Sequence, residues 1–123
     1  MQYVDQPVPA VSLGDVDRIV QRDFPPEQLA TVVKVLNEYG SEKWECEPIR
    51  VRLAALKLAQ GDLEALKHCI RLAKQDYRDV IAPAEYPGYS RMGFRVGKLA
   101  GDAQAEIIGA DWRQYESWLR TGA

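Results

Sequence analysis

Helical spacing of apolar residues dominates the chain. In "DFPPEQLATVVKVLNEYG", Leu29, Val32, Val33, Leu36 and Tyr39 recur three and four positions apart, with Thr31, Lys34 and Glu38 opposite. Such a stripe marks an amphipathic helix with one face in a core. The two prolines after Asp23 suit a first helical turn, whose amides have no acceptor in any case. Gly40 is the expected stop. Upstream, "GDVDRIVQRDF" sets Val16, Ile19 and Val20 on one side and offers Asp15 as a cap, which predicts a short leading helix. Residues 1–12, with Pro7 and Pro9, read as an extended N-terminal segment.

"SEKWECE" reads as a loop, and Pro48 starts the next helix. On a wheel through Ile49–Gln60, apolar residues cover most of the circumference. Arg50 and Lys57 form its solvent edge, and Arg52 falls inside the apolar arc. A helix apolar on nearly all sides belongs at the centre of its domain. Gly61 then closes one helix and Asp62 opens another. Ala65, Leu66, Cys69, Ile70, Leu72, Ala73, Tyr77, Val80 and Ile81 fill half of its wheel. This pattern predicts one helix from Leu63 to Ala82, ended by Pro83, with Asp76 its one charge on the apolar side. The last helix starts at Asp102 and gathers Ile107, Ile108, Trp112, Tyr115, Trp118 and Leu119 on one face. Asp111 and Gln114 have capping-box spacing, so a break near Gly109 is the alternative.

No alternating run is long enough for a strand. The expectation is an all-α fold: an irregular bundle of four main helices and one short N-terminal helix, with a long loop before the last helix. At 123 residues the chain fits a single helical domain spanning residues 1–123, large enough to hold a core.

Charge narrows the function classes. The net charge is −2, without the basic excess that phosphate tracking needs, so nucleic acid is disfavoured as a partner. The N-terminus has no basic and apolar tandem of a signal peptide. The longest uncharged run, Gln6–Gly14, falls far short of the roughly 20 residues of a membrane span. The expected location is cytoplasmic, with no membrane contact. Cys46 and Cys69 then read as free thiols. Neither they nor His68, the single histidine, have metal-ligand spacing, and no cofactor-binding motif is present. No metal or cofactor is expected, and no catalytic residue is assigned.

Two groups of residues could carry chemistry. Arg52, Asp76 and Asp111 are charges on apolar arcs, and buried charges are costly unless paired. They are expected to form a buried pair or, if functional, a polar pocket. The second group lies in "EYPGYSRMGFR" and just beyond. From Tyr86 to Gly101 the charged residues are Arg91, Arg95 and Lys98, interleaved with Tyr86, Tyr89 and Phe94. Tyr, Phe, Met and Arg are enriched at recognition surfaces, and the rings would equally serve as a plug for one end of the fold. The leading expectation is a non-enzymatic protein-interaction module, an adaptor or inhibitor, binding another protein through Tyr86–Lys98. A nucleic-acid accessory role for the same residues and an enzyme pocket around Arg52, Asp76 and Asp111 are the alternatives. Homo-oligomerisation is left open.

Overall fold

A computed structural model describes residues 8–121 and, at residues 94, 96 and 97, the backbone alone. Helix α1 spans Leu13–Asp23. It begins earlier than Asp15, because Ser12 is the cap. The Ser12 hydroxyl accepts from the Asp15 amide at 3.3 Å, and the Asp15 carboxylate accepts from the Ser12 amide at 3.1 Å. This reciprocal box satisfies two amides that a helix start otherwise leaves open. Val16, Ile19 and Val20 are buried, as their spacing predicts.

A short 3₁₀ turn at Pro26–Gln28 leads into α2, Leu29–Asn37. Val32, Val35 and Leu36 form its buried face, whereas Val33 is exposed. Helix α3, Pro48–Ala59, is the enclosed element: Val51, Leu53, Ala54, Ala55, Leu56 and Ala59 are all buried. It packs against α1, against α4 (Leu63–Gln75) and against α5 (Arg78–Glu85). Helices α6 (Pro87–Met92) and α7 (Gly101–Arg120) complete the order, joined by a 3₁₀ stretch at Gly93–Lys98. Among the described residues the fold is all-helical, and no helix is long and apolar enough to cross a membrane.

The predicted helix from Leu63 to Ala82 is two helices. Asp76 takes an extended conformation at the end of α4, and its carboxylate accepts from the Arg78 amide at 3.1 Å. A short acidic side chain that bonds the backbone two residues ahead competes with helix continuation. Pro83, the expected terminator, lies inside α5. The amide it lacks would have reached the carbonyl of Asp79, an exposed residue, so one hydrogen bond is lost. The long loop expected before the last helix is also mostly helical, since Pro87 occupies the first turn of α6. Among the described residues there are seven α-helices, where four main helices and one short one are expected. Helix α7 runs unbroken through Gly109. Trp112 and Trp118 are half-buried on it, while Tyr115 and Leu119 are fully enclosed.

Basic side chains from neighbouring helices close the open C-terminal ends. Arg22 of α1 donates to the carbonyls of Trp118 at 2.7 Å and Thr121 at 2.6 Å, and Arg18 donates to that of Leu119. Arg52 of α3 donates to Leu36 and Tyr39 at the end of α2. Gly40 comes next with φ +107°, and a side chain there would strike Pro48 and the Arg52 guanidinium. Lys74 of α4 donates to Glu38 at 2.6 Å. Each contact places positive charge on the negative end of a helix dipole.

The 40–47 loop is organised by one buried carboxylate. Glu45 accepts through Oε1 from the amides of Gly40, Ser41 and Glu42 at 3.0–3.1 Å, and its Oε2 lies 3.1 Å from the Lys74 ammonium. Burial alone would raise this carboxyl. The amides of Glu42 and Gly40 and the Lys74 charge outweigh it and hold the carboxyl below its usual value. Beside it, the Tyr39 hydroxyl donates to the Cys46 carbonyl at 2.7 Å. Cys46 is exposed and Cys69 buried, and both are free thiols.

Tyr39 links this packing to pH. Burial, and then the nearby Cys46 and Glu45, push its phenol up to about 12, and burial raises Tyr115 as well. The native state therefore holds protons that an unfolded tyrosine releases near 10. Their stabilisation is complete below that value and is lost as pH rises through about 12. Lys57, lowered by burial, acts in the opposite direction up to its ordinary 10.5. In urea unfolding measured from pH 9 to 12, stability is expected to fall above pH 10. Tyr39→Phe should flatten that fall, and an unchanged slope would count against a proton held by Tyr39.

Candidate functional site

The segment from Glu85 to Lys98 begins at a buried ion pair. Glu85, the last residue of α5, is 6% exposed. Arg50 of α3 grips it with two hydrogen bonds, Nε–Oε2 at 2.9 Å and Nη2–Oε1 at 2.6 Å. The carboxylate beside Arg50 raises the guanidinium's affinity for its proton above the ordinary arginine range. Arg50, expected at the solvent edge, is therefore the residue of α3 that forms an internal ion pair. Single-helix periodicity places a residue on a face without showing what a neighbouring helix offers there.

Helix α7 holds the chain on either side of α6. Its residues Gln104, Asp111 and Gln114 each bond backbone of the 84–99 segment. Asp111, 5% exposed, accepts from the amides of Gly88 at 2.8 Å and Tyr89 at 2.9 Å, in the first turn of α6. Those amides have no acceptor within their own helix, and a carboxylate suits the positive end of the dipole. The fit is close at Gly88, where an added Cβ would stand 2.9 Å from Asp111 Oδ1. Gln114 donates to the carbonyls of Ala84 at 3.1 Å and Glu85 at 3.3 Å, closing α5. Buried Gln104 donates to the Leu99 carbonyl at 3.1 Å. Asp111 was legible as a charge on an apolar arc. The two glutamines are neutral, so neither reads as a costly buried charge, although Gln104 shares the buried face of Ile108, Asp111 and Tyr115.

Arg52, Asp76 and Asp111 do not meet. Arg52 caps α2, Asp76 pairs with Arg78 at 2.9 Å near the surface, and Asp111 caps α6. The Arg78 side chain, then its amide, holds the Asp76 carboxyl below its ordinary value. The expected buried pair or common pocket of these three is therefore replaced by three separate helix-end contacts. Among the described residues no group of His, Cys, Asp and Glu is arranged to hold a metal ion.

The remaining residues of the segment divide between core and surface. Tyr86 packs against the core and meets Tyr89 edge to face, with ring centres 6.2 Å apart. Both rings are half-buried, so they serve partly as the anticipated plug. Burial, then the Glu85 charge, raises the Tyr86 phenol. Arg91, Arg95 and Lys98 are exposed. Among the described residues none of the three has an ion-pair partner, and Arg95 makes a long 3.4 Å bond to the Met92 carbonyl. The side chain of Phe94 lies outside the described residues. Between α6 and α7, Gly88, Arg91, Met92, Arg95 and Ile107 line an open groove of about 340 Å³.

Comparison with family models, curated proteins and solved structures finds no match to this chain.

The Asp111 contact has a direct test. Asp111→Ala leaves the Gly88 and Tyr89 amides without their acceptor and is expected to cost about 2–4 kcal/mol in equilibrium unfolding. Gly88→Ala, usually favourable inside a helix, should also destabilise, by about 1–2 kcal/mol, because its methyl meets that carboxylate. A stabilising Gly88→Ala would show that α6 and Asp111 are not in this contact.

Proposed function

We propose that this protein is a non-enzymatic protein-interaction module whose contact surface is α6 and the 3₁₀ stretch after it. The observation that carries this reading is the groove beside Ile107, with Met92 in its lining and Arg91 and Arg95 along it. Isolated surface arginines are ordinary. Two that share an apolar groove, with no acidic residue between Tyr86 and Gly101, form a surface complementary to an acidic segment with apolar anchors. Lys98 extends the same charge. The segment is also pre-formed: Asp111, Gln104 and Gln114 hold its backbone, so little ordering cost falls on binding.

Protein is favoured over nucleic acid by two features. Tyr86 packs against the core and meets Tyr89 edge to face, and both rings are half-buried, which disfavours these two as a stacking platform for successive bases. The net charge of −2 also supplies no general attraction for phosphate.

Fluorescence anisotropy with a labelled peptide of alternating Glu and Leu, and with single-stranded oligonucleotides of equal charge, separates these cases. The peptide is expected to bind, and Arg91→Glu with Arg95→Glu to weaken it at least about tenfold, or about 1.4 kcal/mol. The melting transition should hardly move, because exposed arginines contribute within about 0.5 kcal/mol to stability. Oligonucleotide binding that exceeds peptide binding and is lost in the same variant would assign the surface to nucleic acid. Peptide binding indifferent to both charge reversals would remove the surface from recognition.

A further inference from the structure

Helix α3 carries three basic side chains, and two of them are fully engaged: Arg50 by Glu85, and Arg52 by the end of α2. The third, Lys57, is half-buried, yet among the described residues it makes no hydrogen bond or ion pair. A half-desolvated ammonium without a partner is costly, and burial pushes its proton affinity down, with the Asp111 charge restoring part of it.

Lys57 faces an open, solvent-facing cleft of about 580 Å³ between the end of α1, the α3–α4 turn and α7, lined also by Arg22, Asp23, Gln60, Gln114 and Trp118. That volume suits a small molecule. Among the residues lining the cleft the charges cancel except for one. Arg22 and Asp23 neutralise each other through contacts at 2.7 and 3.3 Å, and the remaining Arg22 donor serves the carbonyls of Trp118 and Thr121. The Arg22 guanidinium also stacks 5.3 Å from the Trp118 ring, which fixes that wall. Gln114 spends its amide nitrogen on the carbonyls of Ala84, Glu85 and Asp111, so the carbonyl oxygen is the end of its side chain left free. The cleft thus combines one unpaired cation, a free acceptor, the Gln60 amide and an aromatic wall.

We propose that this cleft binds a small carboxylate carrying an adjacent hydroxyl or amino group, with Lys57 receiving the carboxylate and Gln114 accepting from the neighbouring donor. A single free ammonium matches a single negative charge. A phosphate dianion would need a second free cation, and Arg22 is already committed. The site is separate from the α6 groove and does not rest on its function.

Lactate, glutamate, propionate and inorganic phosphate, titrated against the full chain with the Lys57 side-chain resonances followed by NMR, test the assignment. Lactate or glutamate is expected to give a saturable shift with a dissociation constant at or below about 1 mM. Propionate, lacking the second donor, should bind several-fold more weakly. Lys57→Gln should lose the site at least tenfold and Lys57→Arg should retain it, while Arg91→Glu with Arg95→Glu leaves it unchanged. Thermal melts confirm that each variant is folded. If Lys57→Gln does not fold, protection of Lys57 in the native chain from acetylation by these compounds gives the same answer. Absence of saturation up to about 50 mM, or an equal response in Lys57→Gln, would overturn the site. Tighter binding of phosphate than of either carboxylate would overturn the ligand class.

Discussion

The contact between Arg50 and Glu85 joins the most enclosed helix to the start of the α6 surface segment. Helix α3 is apolar on nearly all sides, so it is stable only when surrounded, and its cations must be accommodated within that enclosure. Arg50 meets this requirement by gripping the last residue of α5 in a two-bond, largely desolvated pair. Such a pair is weak evidence for net stability, since desolvating both ions offsets most of their attraction. Its consequence here is positional. With Glu85 fixed against α3, the next residues, Tyr86 and Pro87, start α6 at a set place on the surface.

Helix α7 supplies the second constraint. Gln104, Asp111 and Gln114 hold backbone of the 84–99 segment, and Arg18 and Arg22 hold the end of α7 against α1. A segment containing Pro87, Gly88 and Gly93 has weak intrinsic helix propensity. It is ordered because side chains from a long neighbouring helix satisfy its backbone. Arg91, Arg95 and Lys98 can then remain exposed without contributing to that order.

Much of this architecture was legible in the sequence, and the rest fails for identifiable reasons. The enclosed character of α3, the buried face of α1 and the unbroken α7 accord with periodicity, because each reflects burial along a single helix. Asp76 lies near the surface rather than on the apolar side, because a wheel continued through a helix break puts a surface cap on the inside. Pro83 continues α5 rather than ending a helix, because a proline one turn into a new helix removes a single hydrogen bond. Arg50 forms the internal ion pair and Arg52 caps α2 because their partners, Glu85 and the end of α2, come from other helices. The candidate surface stands out by composition alone, whereas its support by Gln104 and Gln114 does not, because neutral side chains carry no charge to single them out.

A double-mutant cycle on Arg50 and Glu85 tests most directly whether this pair sets the position of α5 and the start of α6. Arg50→Met and Glu85→Leu are each expected to cost about 3–5 kcal/mol, because each strands a buried charge. The double variant should recover more than half of the summed loss, which gives a coupling of several kcal/mol. Single losses below about 1 kcal/mol, or a double variant as unstable as the sum of the singles, would contradict the account.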